Sequence, residues 1–169
     1  MEARARRHKR ECLRAPEASP RPSPPSVAPP SPFQRTTAGP STALVWIRND
    51  LRVRDHAPLR YAVDHFDRTV PVYCFDPRHF GTTMFDLPKM SAIRARFLRE
   101  SVQDLRGSLQ ERGSDLVVRN GRPETVLPDL VRQVGADEVL MFQEIGTEER
   151  KTEDAVKDAL AETDALPGF

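Results

Sequence analysis

Four polar clusters hold the residue types that could do chemistry here: "RNDLR" (48–52), "DPRHF" (76–80), "NGRPE" (120–124) and "QEIGTEE" (143–149). Carboxylates, guanidinium groups and amides recur in them, the set that holds a polar ligand by charge-assisted hydrogen bonds. Covalent and metal chemistry find no such support. The four histidines, His8, His56, His65 and His79, include no pair at metal-ligand spacing. His56 and His65 flank or occupy a helical stretch, where a surface position is expected. Cys12 and Cys74 lie far apart and make neither a disulfide framework nor a metal site. No G-x-G-x-x-G follows the first apolar run, and neither G-x-x-x-x-G-K-[ST] nor G-x-S-x-G occurs. No nucleophile stands beside a credible base. The residues read as a ligand-binding site without catalytic machinery.

What must position these clusters is a repeating pattern of strand and helix. "ALVWIR" (43–48) is an apolar run of the kind found in a strand covered on both faces. Asp55 fits an N-cap, with Leu59, Ala62, Val63 and Phe66 following at helical spacing. "TVPVYCFD" (69–76) reads as a second strand, with Pro71 tolerable near its start and Cys74 a buried small hydrophobe. The long connection "PRHFGTTMFDLPKM" then precedes Ser91, which can cap a helix with Leu98, Val102, Leu105 and Leu109 on its apolar face and Gly113 at its end. "DLVVR" (115–119) is a third strand. Pro123 opens the next helix, Gly135 stops it, and Val126, Leu127, Leu130, Val131 and Val134 face the core. "EVLMF" (138–142) is a fourth strand, and Thr147, Glu148 and Glu149 start a last helix with acids where its dipole favours them. The fold class is therefore α/β: a doubly wound, Rossmann-like parallel sheet of four strands with helices on both faces. In such sheets ligands gather outside the carboxyl ends of the strands, near the switch in strand order. All four polar clusters fall there.

Residues 1–42 differ in kind. They hold nine of the sixteen prolines and five serines, and eight basic residues against three acidic, for +5. Too little apolar surface is available to offset the entropy of ordering, so a disordered tail is expected. Three readings of it stay open. An Arg- and Ser-bearing, acid-poor stretch suits an organellar transit peptide, though Glu2 and Glu11 count against it. "RARRHKR" (4–10) suits a nuclear signal. An inert tail is the third. The remaining residues carry 18 basic and 22 acidic side chains, for −4, so the folded part repels phosphate overall and DNA is not expected as a partner of this chain alone. No apolar run approaches the ~20 residues of a membrane span, and a soluble protein in a reducing compartment is expected.

"ALVWIRNDLRVRDHAPL", "VPVYCFDPRHFG", "FLRESVQDLRGSLQERGSDLVVRNGRPE" and "FQEIGTEE" resemble, in order and spacing, the N-terminal α/β domain of the photolyase/cryptochrome family, in particular its cryptochrome-DASH and plant photolyase-like branch. The likeness spans residues 43–163, between the tail (1–42) and a C-terminal stub (164–169). It implies an antenna chromophore, commonly a reduced folate such as 5,10-methenyltetrahydrofolate, held between the rim of this domain and a helical domain that binds FAD. By motif, Glu144 is implied to hydrogen-bond the pterin ring, whose 2-amino-4-oxo edge offers paired N–H groups to a carboxylate. Gln143, Arg78 and Phe80 are implied to line or stack on it, and Arg48, Asp50 and Arg52 to pair locally or across the domain junction. Two departures stand out. Relatives carry Asp-Asn where this chain has Asp55-His56, and Lys-Thr-Gly where it has Lys89-Met90-Ser91, which puts the backbone of that corner in question.

Only "LPGF" follows the last helix, so the resemblance implies a lost fifth strand, an absent helical FAD domain and no catalysis by this chain alone. The fourth strand would then be an open edge, with marginal stability or self-association through it. Partners implied are that helical domain or a related protein. A chloroplast location follows if the tail is a transit peptide, and nucleus or cytoplasm otherwise. The alternative is the N-terminal part of a complete FAD-dependent DNA photolyase or blue-light receptor. A generic adenine-nucleotide module is a third reading, but no glycine-rich phosphate loop supports it.

Overall fold

The apolar run becomes β1 (Thr42–Ile47), a strand with all six residues buried, in a computed structural model that describes residues 40–163 and 165–168. The three readings of the tail fall on residues outside that range except at 40–42, where Thr42 already belongs to β1. Where the description begins, Ser41 is tied by its N–H and hydroxyl to Asp67 Oδ2, at 2.8 and 2.9 Å.

β1 is followed by α1 (Ala57–His65), β2 (Arg68–Phe75), a one-turn 3-10 helix (Pro77–Phe80), α2 (Ala92–Gln110), β3 (Val117–Asn120), α3 (Pro123–Val134), β4 (Glu138–Met141), α4 (Thr147–Leu160) and β5 (Leu166–Gly168). The sheet is parallel throughout, in the order β3-β2-β1-β4-β5. Alternation along β1 explains its double burial. Leu44 and Trp46 pack with Leu127, Leu130, Val156 and Leu160 of α3 and α4. Ala43, Val45 and Ile47 pack with Leu59, Ala62, Val102 and Leu105 of α1 and α2. Right-handed crossovers demand this split, because the chain winds one way through β3 and the other way through β4.

Several local expectations hold. Ser91 Oγ accepts from the Arg94 N–H at 3.3 Å, Pro123 opens α3, and Gly135 closes it in the left-handed region at φ 63°. The 89–91 corner tolerates its missing glycine, since Ser91 adopts ordinary extended angles (φ −72°, ψ 156°). Pro71 sits just before Val72, the first β2 residue paired with β3, so the N–H it lacks leaves that ladder intact.

Four expectations are corrected. There is a fifth strand: Leu166–Gly168 pairs with Glu138–Leu140, so β4 is not an open edge there and that ground for edge-to-edge association is removed. β5 is itself short and carries Pro167 and Gly168, which blunts it as an edge. His56, not Asp55, caps α1: its Nδ1 accepts from the Leu59 N–H at 3.2 Å, while Asp55 takes a positive φ of 53°. The ring thus does the work an Asn would do, and it is buried rather than on the surface. Val63 is exposed, because the nine-residue α1 offers the core only the narrow stripe of Pro58, Leu59 and Ala62.

Candidate functional site

The polar residues of the site stand at the strand exits. At the end of β1, Arg48 turns back under the sheet rim. Its guanidinium lies 4.6 Å over the Trp46 ring, and its Nη1 donates to Glu153 Oε1 of α4 at 2.5 Å. Both side chains are nearly water-free, at 11% and 2% exposed. The same Glu153 oxygen accepts the main-chain N–H of Glu144 at 2.8 Å. Asn49 completes the corner, its Nδ2 donating to Glu144 Oε1 at 3.1 Å. Asp50 pairs locally with Arg52 at 2.8 Å. The charge cluster that breaks the apolar run is therefore a clasp across the switch point, between the β1 exit and the β4–α4 loop.

A second corner forms at the end of β2. Asp76 caps the 3-10 turn by accepting from the Arg78 N–H at 2.9 Å. Arg78 grips the same carboxylate through Nε and Nη2, at 2.9 and 2.6 Å, and reaches Glu124 of α3 at 2.9 Å. Burial works to raise the Asp76 carboxyl, but the Arg78 hydrogen bonds and charge outweigh it and hold the group below its ordinary range. Phe80 stands half-exposed, its ring 6.4 Å from that of Phe75. Gly121, after β3, donates to the Phe75 carbonyl at 3.1 Å and takes a φ of 148° that suits only glycine.

Between these corners lies an open cleft of about 650 Å³. Its floor is the ends of β1 and β2, with Trp46, Tyr73 and Cys74, and its walls are the first turns of α2 and α4. Burial pushes the Tyr73 phenol and the Cys74 thiol each up to about 12, so both stay neutral. Phe97 of α2 lines the cleft while 69% exposed, and Met84, Phe85 and Leu87 on the 81–89 excursion and Ile93 on α2 are exposed apolar side chains nearby in sequence.

The four residues named from sequence thus divide. Glu144 and Gln143 stand together at the β4 exit, Glu144 half-buried and Gln143 exposed. Arg78 and Phe80 share the turn after β2, and of the four only Arg78 lines the cleft. Glu144 has one oxygen on Asn49, while its Oε2 accepts nothing from any described residue. That acceptor carboxylate, with Oε2 open and a lone pair left on Oε1, suits the paired N–H edge of a 2-amino-4-oxo ring. Sequence reasoning missed Glu153, hidden in the charged run "TEERKTED". Its signal was spacing, since Glu153, Val156 and Leu160 share the buried stripe of α4. Among the described residues no group of three or more His, Cys, Asp or Glu is placed to hold a metal, and no helix is long and apolar enough to cross a membrane.

Comparison with known proteins agrees with this architecture. The model of the DNA photolyase family matches residues 43–166. Blue-light photoreceptor PHR2 of Arabidopsis thaliana is 44% identical over 147 residues, 86% of this chain and 33% of that protein. Cryptochrome DASH of Gloeobacter violaceus is 51% identical over 120 residues, 71% of this chain and 24% of that protein. The crystal structure of a Synechocystis sp. PCC6803 cryptochrome superposes with a TM-score of 0.73 at 38% identity, covering 76% of this chain and 27% of that one. Cryptochrome DASH relatives from Arabidopsis thaliana and Oryza sativa are named chloroplastic/mitochondrial. The fold is that of the N-terminal α/β region of photolyases and cryptochromes. The chain belongs to the photolyase/cryptochrome family, and it spans about a quarter to a third of the length of the relatives it matches.

Proposed function

We propose that the α/β domain is the light-harvesting part of a photolyase/cryptochrome-type flavoprotein, and that it binds a reduced folate antenna at the β4 exit. Glu144 receives the paired N–H groups of the pterin, Gln143 lines the ring edge, and Phe80 and Arg78 meet its outer face. The observation that carries this reading is the Glu144 carboxylate, half-buried, oriented by Asn49 and with Oε2 open to a donor. When bound, the folate supplies absorption of blue and near-ultraviolet light. This chain's part is to bind and orient it. The flavin chemistry, whether DNA repair or signalling, belongs to a helical FAD domain that covers the exposed apolar side chains Met84, Phe85, Leu87, Ile93 and Phe97. That domain comes either from the rest of a longer photolyase or blue-light receptor or from a related protein. Residues 1–42 act as a chloroplast address; the names of the plant relatives, chloroplastic/mitochondrial, support an organellar address of one kind or the other.

The test is a titration of the protein with 5,10-methenyltetrahydrofolate, followed by absorbance and fluorescence of the chromophore. Saturable binding is expected, weakened by a factor of ten or more in Glu144→Gln, since a hydrogen bond to a charged group contributes about 1.5–3 kcal/mol and about 1.4 kcal/mol is tenfold. Equal affinity in the two proteins would refute the role of Glu144.

A further inference from the structure

Glu153 is the most deeply buried carboxylate among the described residues, at 1% exposure. A charge in such a place needs a partner, and Arg48 supplies it. Neutralising Arg48 would be accomplished without a second hydrogen bond. Yet Glu153 Oε1 also takes the Glu144 N–H at 2.8 Å, and among the described residues this is the one hydrogen bond that the main chain of 143–146 donates. Otherwise the loop is held by the Asn49 side chain on Glu144 Oε1 and at its ends, by the β4 ladder through Met141 and by α4 from Thr147. Arg48, which reaches the carboxylate through Nη1, is itself held from two sides, donating from Nη2 to the Glu149 carbonyl at 3.4 Å while its plane lies on Trp46. One oxygen atom therefore joins the β1 exit, the body of α4 and the loop that carries Glu144. A pair of apolar side chains of similar volume would fill this space with equal or better stability, so a buried ion pair here is explained better by what it holds than by the energy it adds.

We propose that Glu153 is a positioning residue for chromophore recognition: its carboxylate, fixed by Arg48, sets the main chain at Glu144 and so aims the Glu144 side chain at the pterin. Asn49, the residue after Arg48, sets the side chain from the other direction. The clasp thus defines both the height and the rotation of the recognising carboxylate. This inference rests on the reading of Glu144 as the pterin ligand.

The experiment uses the full chain and compares wild type with Glu153→Gln, with the paired apolar variant Arg48→Met/Glu153→Leu, and with Glu144→Gln. Gln at 153 keeps an acceptor oxygen for the Glu144 N–H, whereas the apolar pair removes it. Hydrogen exchange at the Glu144 amide, thermal melting, folate affinity and the absorption maximum of the bound chromophore are read in each. The expected result is a folded apolar-pair variant whose Glu144 amide exchanges at least ~10-fold faster, whose folate affinity falls on the order of tenfold, as for one lost charge-assisted hydrogen bond, and whose bound chromophore absorbs closer to free folate. Glu153→Gln should restore affinity to within about threefold. A folded apolar-pair variant with unchanged affinity and absorption, beside a weakened Glu144→Gln, overturns the positioning role and leaves the antenna reading standing. Unchanged affinity in Glu144→Gln overturns both. If the apolar pair does not fold, the wild-type amide decides: protection at Glu144 supports the tether, and exchange at the free-chain rate overturns it.

Discussion

Replacing Arg48 by Met should cost far more than the loss of a surface charge. The substitution leaves Glu153 with no counter-charge at a site where it is 1% exposed. Breaking one side of a buried ion pair costs about 3–5 kcal/mol, because the remaining charge is stranded away from water. The stacking of the guanidinium on Trp46 at 4.6 Å is lost as well, a contribution of about 0.5–2 kcal/mol that overlaps the first figure. Against a typical domain stability of about 5–15 kcal/mol, roughly a fifth of the total or more would go. The double variant Arg48→Met/Glu153→Leu removes both charges together and should return to within about 1 kcal/mol of wild type. A double-mutant cycle therefore predicts a coupling energy of at least about 2 kcal/mol. Urea unfolding supplies the numbers. Trp46, the single tryptophan, reports on the clasp itself, and far-ultraviolet circular dichroism reports on the whole fold. The reasoning is refuted if either single variant costs less than about 1 kcal/mol at an unchanged denaturant slope, since Glu153 would then not be an effectively buried charge.

Three further outcomes follow from other parts of the fold. Burial lowers the His56 imidazole pKa, against the pull of Asp50 and with the help of Arg52, so the neutral ring is favoured in the folded state. Its contribution is complete above the unfolded value of about 6.5 and is lost as pH falls through the lower folded value. Urea midpoints should therefore drop between about pH 7.5 and about pH 5 in wild type, and His56→Asn, which keeps an acceptor at the helix cap, should flatten that drop; the same drop in both proteins would count against it. Cys74 and Tyr73, pushed to about 12 by burial, favour the folded state fully below about pH 9 and withdraw that preference as pH climbs toward 12. In a Cys12→Ser background, Cys74 should resist thiol reagents near pH 8 until urea is added, and rapid labelling of the native protein would contradict its burial. Gly121→Ala should destabilise by about 1–3 kcal/mol, because its φ of 148° is strained for any side chain and the new Cβ would lie 2.8 Å from Val126 Cγ2. An unchanged melting temperature would show that the corner relaxes freely.

The legible parts of this molecule are those where local chemistry and tertiary need agree. β1 could be read because a strand covered on both faces must be apolar throughout, and the buried residues of α2 and α3 repeat at 3.6-residue spacing. Ser91 and Gly135 announce their caps by residue type. β5 had no such voice. "LPG" contains the two residues least suited to a strand, and it is extended only because Glu138–Leu140 offers a free ladder and Asp137 accepts the Leu166 N–H at 3.0 Å. His56 was misread because an imidazole is an unusual cap, whereas the Asp beside it is a common one. The polar clusters at the strand exits could be located from topology alone. Which of their charges meet could not, since the partners of Arg48 and Glu144 lie about a hundred residues away along the chain and sequence carries no distances.

The central claim is that Glu144 holds a folate pterin at the β4 exit. A crystal structure of the chain grown with 5,10-methenyltetrahydrofolate tests it most directly. The account predicts the pterin's paired N–H groups within hydrogen-bond reach of the Glu144 carboxylate, about 2.7–3.2 Å, with the Asn49 and Glu153 contacts kept. A pterin seated in the cleft beside Arg78 and Trp46 with Glu144 untouched, or no bound chromophore at saturating concentration, would contradict it.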